Sequence, residues 1–533
     1  MGRDGEFRET AVWRAGEDGY HTYRIPALFV TRRGTLLAFC EGRRNSRSDT
    51  GDIDLLIKRS EDGGRTWSRQ EVVADFGPDT IGNPCPVQDR KTGIIWMPLT
   101  SNPGAASEKE IRESPQGPTR TVWLTDSRDD GRHWTKPVEI TRHAKDPNWT
   151  WYATGPGIGI QLRSGRMVIP CDHNVAGTRA RHSHIIYSDD SGRTWRRGGV
   201  LGEHTNECQV VELSNGDLLM NMRSYHGINR RAIARSRDGG LTWSEVTFEE
   251  ALIEPVCQAA FVKFAGRRLL FSNPASTRRE RMTVRMSEDG GATWPVERVV
   301  WEGPAAYSSL GVLADRSIGL LYERGESSPY EQIVFVRFTE RWLRTPAPQR
   351  PSDLAELVKL DATIRLDVRY AKATNFLGKP VYQEERAFLQ RPAAEALVRA
   401  HRSLREKGYG LLVFDGYRPW GVTKLFWDLT PPSKREFVAD PRKGSKHNRG
   451  CAADLTLFEL ATGKEVEMPS GYDEMTERAY PRYKGGTTAQ REARDLLIRA
   501  MEAEGFQVEA NEWWHYNYRN WRSYPVQDVP FPR

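Results

Sequence analysis

Five times along the 533-residue chain the pattern S-x-D-x-G-x-x-W recurs: "SEDGGRTW" from Ser60, "SRDDGRHW" from Ser127, "SDDSGRTW" from Ser188, "SRDGGLTW" from Ser236 and "SEDGGATW" from Ser287. A spacing of roughly 50 to 70 residues is the scale of one propeller blade with loop insertions. Each copy has the chemistry of a hairpin turn, in which Ser and Asp bond nearby backbone amides, Gly takes a positive φ and Trp packs the turn. The copies are therefore structural, not catalytic. Between them run alternating apolar segments such as "RMVIPCD", "CQVVELSNGDLLMNMR" and "SIGLLYER", separated by Gly, Asn and Asp. That pattern reads as an all-β domain over residues 1–343.

The pattern then stops. "RTPAPQRPS", residues 344–352, is proline-rich and aperiodic, as a semi-rigid linker would be. Beyond it, "PAAEALVRAHRSLREKG" and "AQREARDLLIRAMEAEG" carry apolar residues at helical spacing, with Pro392 near one start and Gly408 and Gly505 at the two ends. Residues 353–533 thus read as a separate α+β domain.

Charge and cysteine usage exclude several classes. The formal net charge is +7, without a long basic run or a basic patch interleaved with aromatics, so nucleic acid is not an expected partner. Six cysteines are scattered and form no CxxC pair, which indicates reduced thiols and no thiolate metal site. No apolar stretch approaches the length of a membrane span. The N-terminus has no secretory h-region, which favours the cytoplasm, whereas a chain whose signal had been removed, periplasmic or secreted, would look the same.

The five turns resemble the Asp boxes of sialidases, and further segments match that family in order from about residue 10 to 340. "YRIPAL" resembles its arginine-isoleucine-proline motif and implies Arg24 as the first of three carboxylate-binding arginines. "NECQVVELSNGDLLMNMR" implies Glu207 as the catalytic glutamate and Arg223 as the second arginine. "LLFSNPASTRRERMTVRMS" implies Arg279 as the third, with Arg278 beside it. "AAYSSLGVL" implies Tyr307 as nucleophile, "IGLLYERG" implies Glu323 as the support of Arg24, and "GRRNSRSDTGDIDLL" implies Asp49 as acid/base with Arg43 a substrate contact. The implied fold is a six-bladed β-propeller, and the implied chemistry needs no cofactor. Three converging guanidiniums suit the carboxylate of a sialic acid. A neutral tyrosine deprotonated toward a glutamate avoids setting a carboxylate nucleophile against that anion.

The last 180 or so residues resemble the vancomycin-resistance type of D-alanyl-D-alanine dipeptidase, through "NFLGKPVY", "GYGLLVFDGYRP", "SKHNRGCAADLTL" and "EWWHY". The resemblance implies His447, Asp454 and His515 as zinc ligands, Glu512 as general base, Arg418 as oxyanion stabiliser, and Ser445 and Asp473 as substrate contacts. On an ideal strand Glu512 and His515 face opposite sides, so "EWWH" must turn or bulge to bring them together. Two positions depart from the family: Lys446 precedes the first ligand where a small hydroxyl residue is expected, and Cys451 replaces a serine-like residue. A cysteine there is either a soft atom near the metal or a small buried hydrophobe.

The sequence thus reads as a bifunctional hydrolase acting on sialylated glycoconjugates and on a D-Ala-D-Ala-like dipeptide. Its competitors are an inactive sialoglycan-binding propeller attached to the dipeptidase, and a trans-sialidase sharing every residue named.

Overall fold

The computed structural model describes residues 7–113, 117–345 and 350–532. The chain divides into two compact units, Met1–Pro346 and Ala347–Arg533. Residues 346–349 of the expected linker lie outside the described residues. No described helix is long and apolar enough to cross a membrane.

The first unit is built from strands in sheets of seven, nine, five and four, antiparallel except where Ile53–Ser60 runs parallel to Thr80–Gly82, with a few short helices such as Glu108–Glu113. The seven-stranded sheet joins the two ends of the unit. Strand Phe7–Arg14 pairs antiparallel with Gln332–Phe338, Phe7 opposite Phe338 and Arg14 opposite Gln332. In the same sheet the 17-residue strand Val296–Val312 pairs first with Glu280–Ser287 and then with Ile318–Arg324.

The repeated turns are held by local bonds. In the first, Ser60 Oγ donates to Asp62 Oδ1 and accepts from Gly64 N, both at 2.8 Å, while Asp62 accepts from the amides of Arg65 and Thr66. The Ser–Asp and Gly–Ser bonds recur at Ser127, Ser188, Ser236 and Ser287. Gly64 needs its lack of a side chain twice over, because φ is +85° and an added Cβ would strike the Phe335 ring. Trp67 packs edge-on to that same ring at 5.3 Å, so the turn packs against a strand of the seven-stranded sheet.

Strands Thr22–Val30 and Leu36–Arg43 are buried almost throughout, on both faces, and read as apolar runs with few alternations. Three register breaks interrupt such strands: between Arg24 and Ala27, between Thr205 and Cys208, and between Ala305 and Ser308. In each, three steps on one strand face two on its partner, the signature of a β-bulge that re-aims a side chain. The three bulges fall on Arg24, Glu207 and Tyr307.

The second unit is α+β. Its five-stranded sheet runs in the order Arg365–Leu366, Tyr409–Asp415, Ala452–Glu459, Glu512–Tyr518, Phe506–Glu509, with only the first pair parallel. Helices Arg391–Arg405 and Thr488–Ala503 pack Leu397, Ala400, Leu404, Leu497 and Met501 into a core with Leu411, Val413, Leu455 and Trp513. The second helix starts on a capping box between Thr487 and Gln490. Gly408 and Gly505, just past the helix ends, take φ values of +86° and +87°, as left-handed C-terminal caps require.

Candidate functional site

In the first unit a cavity of about 580 Å³ is lined by Arg24, Arg43, Asp49, Glu207, Arg223, Arg279 and Tyr307. Every residue expected there from sequence is present except Glu323, which lies behind the wall. Glu323 is fully buried, and both its oxygens are used. Oε1 accepts from Arg24 Nε at 2.8 Å and from the Ile25 amide at 2.9 Å, and Oε2 accepts from the Tyr307 amide at 3.1 Å. One carboxylate therefore ties together two of the three bulges. It also stabilises Ile25, a β-branched residue held at φ +59°.

Tyr307 Oη donates to Glu207 Oε1 at 2.6 Å, and Arg223 Nη1 reaches Glu207 Oε2 at 2.8 Å and Tyr307 Oη at 3.2 Å. The guanidiniums of Arg24 and Arg279 lie 5.2 and 5.6 Å from the centre of the Tyr307 ring. Three arginines thus surround one phenol: Arg24 is paired with Glu323 and Arg223 with Glu207, while Arg279 donates to the neutral Tyr330 hydroxyl, which leaves the cluster with an excess of positive charge facing the cavity. Arg223 Nε is buried with no hydrogen-bond partner among the described residues. Arg278, the neighbour of Arg279, pairs instead with Glu280.

Burial and the adjacent Glu207 carboxylate push the Tyr307 phenol well above its ordinary value, against Arg223 and Arg279. Tyr307 is therefore neutral and hydrogen-bonded to a base. Asp49 pairs with Arg43 at 2.7 Å. Burial pushes its carboxyl up, but Arg43 and Arg24 outweigh it and hold it at about 2.

The second constellation is in the other unit. His447 Nε2, Asp454 Oδ1 and His515 Nδ1 converge: the imidazoles are 3.2 Å apart and lie 3.3 and 3.0 Å from the carboxylate. All three residues are buried and offer ligand atoms within 4.8 Å of one another. The outer ring nitrogens are occupied, His447 Nδ1 by the Gly416 carbonyl at 2.7 Å and His515 Nε2 by Asn517 Oδ1 at 2.8 Å. If those outer atoms carry the protons, three lone pairs face one point. That arrangement is repulsive alone and fits a divalent cation. Asp454 Oδ1 has no hydrogen-bond donor among the described residues, which agrees.

The sequence places His447 in a short turn, His447–Arg449, that ends on Gly450 at φ +67° and leads into the Asp454 strand Ala452–Glu459. Asp454 then pairs across the sheet with His515, which brings the third residue to the other two from a distant part of the chain. The irregularity required of "EWWH" is present. Val508 faces Tyr516 while the next residue, Glu509, already faces Glu512, and Glu512 Oε2 comes 3.6 Å from His515 Nδ1. Burial pushes the Glu512 carboxyl up to about 7.

Arg418 lies 3.5 Å from Asp454 Oδ2. Asp473 accepts from Tyr370 Oη at 3.1 Å, and Ser445 Oγ accepts the His447 amide at 3.2 Å. Cys451 is fully buried in the core cluster with Ala453 and Leu455, not in the ligand set. Trp513 and Trp514 are core residues as well.

The sequence profile of the BNR repeat-like domain matches residues 34–322. The chain is 34% identical over 337 residues to a sialidase of Bacteroides fragilis, covering 58% of this chain and 62% of that one, under two thirds of the relative's length. It is 34% identical over 363 residues to an exo-alpha-sialidase of Arthroderma benhamiae, covering 61% of this chain and 85% of that one.

The chain belongs to the sialidase family. Among solved structures, Hadza microbial sialidase Hz136 is similar at 34% identity with a TM-score of 0.58, covering 63% of this chain and 69% of that one. Beside its sialidase unit, this family member carries a D-ala-D-ala dipeptidase domain, whose profile matches residues 350–530.

Several residues of both sites escape sequence reasoning. In the sialidase unit, Glu41 Oε2 accepts from Arg43 Nη2 at 2.7 Å. Its spacing of two from Arg43 on one strand was a usable signal. Tyr330 accepts from Arg279 at 2.7 Å and stacks under Arg24 at 4.1 Å, and no local signal marks it. In the dipeptidase domain, Asp415 grips Arg418 through Nε at 2.8 Å and Nη2 at 2.7 Å. The i, i+3 spacing in "DGYR" was the clue.

Proposed function

We propose that the chain is a bifunctional hydrolase: a retaining exo-alpha-sialidase with the architecture of a six-bladed β-propeller, fused to a zinc-dependent D-alanyl-D-alanine dipeptidase. The observation that carries the first activity is the 2.6 Å bond from the Tyr307 phenol to Glu207 amid three guanidiniums. The pairing of Phe7–Arg14 with Gln332–Phe338 suits a propeller whose last blade is completed by the first strand.

The sialic acid carboxylate binds Arg24, Arg223 and Arg279 by charge-assisted bonds. Tyr307 Oη attacks the anomeric carbon while its proton passes to Glu207 Oε1, and the departing glycosidic oxygen takes a proton from Asp49. Asp49 then removes a proton from water, which displaces the tyrosyl oxygen, and Glu207 returns the proton to Tyr307. Two displacements at one carbon retain its configuration. Asp49 must hold a proton to serve as the acid. The incoming substrate carboxylate offsets the field of Arg24, one of the cations that depress Asp49, and so raises it.

In the dipeptidase domain His447, Asp454 and His515 would hold zinc, whose chemistry is Lewis-acid activation of water and carbonyl. Glu512 accepts the proton from the attacking water. Arg418, held by Asp415, faces the developing oxyanion. Asp473, which no described cation pairs, binds the free ammonium of the dipeptide.

The deciding experiment is release of fluorophore from an umbelliferyl α-sialoside by the intact protein and by Tyr307→Phe. Turnover abolished by the substitution supports the reading. No turnover in the intact protein would leave the propeller a binding module.

A further inference from the structure

Lys446 immediately precedes His447, at a position where a small hydroxyl residue is expected from the sequence, and the fold gives it a partner beyond the ligand set. Its Nζ lies 2.8 Å from Glu509 Oε2. The same oxygen accepts from Asn517 Nδ2 at 2.8 Å, and Asn517 Oδ1 takes the outer nitrogen of His515 at 2.8 Å. The line runs Lys446, Glu509, Asn517 and ends on Nε2 of His515, the ring nitrogen opposite the one that faces Asp454 and His447. Its geometry follows from the sheet: Asn517 is two residues beyond His515 on one strand, hence on the same face, and Glu509 comes from the neighbouring strand.

We propose that Lys446, Glu509 and Asn517 are positioning residues that orient His515 and set the affinity of the metal site. This inference rests on the metallopeptidase reading of the second unit. Asn517 can act only one way round, because its amide NH2 must face the Glu509 carboxylate and its oxygen must face His515 N–H. That fixes Nδ1 of His515 as the ligand atom. A carboxylate at the far end polarises the amide, strengthening its acceptance from the imidazole and making Nδ1 a better donor. Unpaired, Glu509 would add a further negative charge beside Asp454 and Glu512. Lys446 neutralises it, which is why a lysine is useful at a position whose side chain does not reach the ligands. Of the other two ligands, His447 is oriented by the backbone carbonyl of Gly416, and Asp454 accepts from Tyr472 Oη at 3.0 Å.

The test is competition for zinc between the full-length protein and a chromogenic chelator, with apo-protein melting measured alongside. Asn517→Leu should weaken zinc binding by about 10- to 100-fold, and Glu509→Gln and Lys446→Met by smaller factors. Lys446→Arg should restore the affinity that Lys446→Met loses. Should Asn517→Leu fail to fold, the other two decide the matter, since the Lys446 and Glu509 side chains are about one third exposed. Tight zinc binding by the wild type with none of the variants shifted overturns the inference alone, as does equal loss in Lys446→Arg and Lys446→Met. A wild type that binds no zinc overturns the metallopeptidase reading and this inference with it.

Discussion

Tyr307 gives its phenolic hydrogen to Glu207 across 2.6 Å, although 100 residues separate them in sequence. Each sits on a β-bulge of a different strand. Burial makes the phenol a poor acid, so attack depends on that one acceptor. Glu207→Gln should lower kcat for sialoside hydrolysis by about 100- to 10,000-fold, the range of a lost general base. Tyr307→Phe should lose at least as much. Steady-state kinetics check both, and a kcat within tenfold of wild type in either variant would sink the assignment.

Glu323 tests the scaffold under the site. It is fully buried, bonded to Arg24, to the Ile25 amide and to the Tyr307 amide. Removing one partner of a buried pair costs about 3–5 kcal/mol. Glu323→Ala should therefore lower the unfolding temperature of the sialidase unit and raise KM, as Arg24 loses its fixed direction. Unchanged melting would show that the pair carries no such load.

A buried histidine pair predicts acid sensitivity. His173 Nδ1 and His184 Nδ1 are 3.0 Å apart, so one ring donates and the other accepts. Burial and His184 hold His173 far below its ordinary value, and burial and Arg197 hold His184 at about 3. The unfolded chain binds these protons near pH 6.5. Stability is therefore intact above that pH and falls below it, by about 1.4 kcal/mol per group per pH unit until the folded values are reached. Hydrogen exchange of strands Met167–Val175 and Arg181–Ser188, corrected for intrinsic rates, should quicken from pH 7 to 5. The pH slope should shrink in His184→Gln.

Chelation should separate the two activities. The described residues hold one cluster of metal-ligand type, His447, Asp454 and His515. Dialysis against a chelator should abolish hydrolysis of D-Ala-D-Ala and leave sialoside turnover unaltered. Loss of both in parallel would contradict the metal-free chemistry proposed for the first unit.

What the sequence determined by itself is what chain-local chemistry controls. The five turns are legible because Ser60, Asp62 and Gly64 bond one another within a few residues. The helices are legible because their apolar spacing and caps are local. Motif order supplied the candidate site residues, of which Arg24, Arg43, Asp49, Glu207, Arg223, Arg279 and Tyr307 line one cavity and His447, Asp454 and His515 form one cluster.

Tertiary structure decided the rest, since a side chain's direction and its distant partners are not written in neighbouring residues. The bulges that turn Arg24, Glu207 and Tyr307 into one space depend on the register of partner strands. Tyr330 reaches Arg279 across 51 residues, and Lys446 finds Glu509 across 63. Cys451, ambiguous in sequence, is settled by the core packed around it. A sequence states which groups are available; burial and long-range register determine which of them face each other without water between, and those are the contacts that set charge, direction and chemistry.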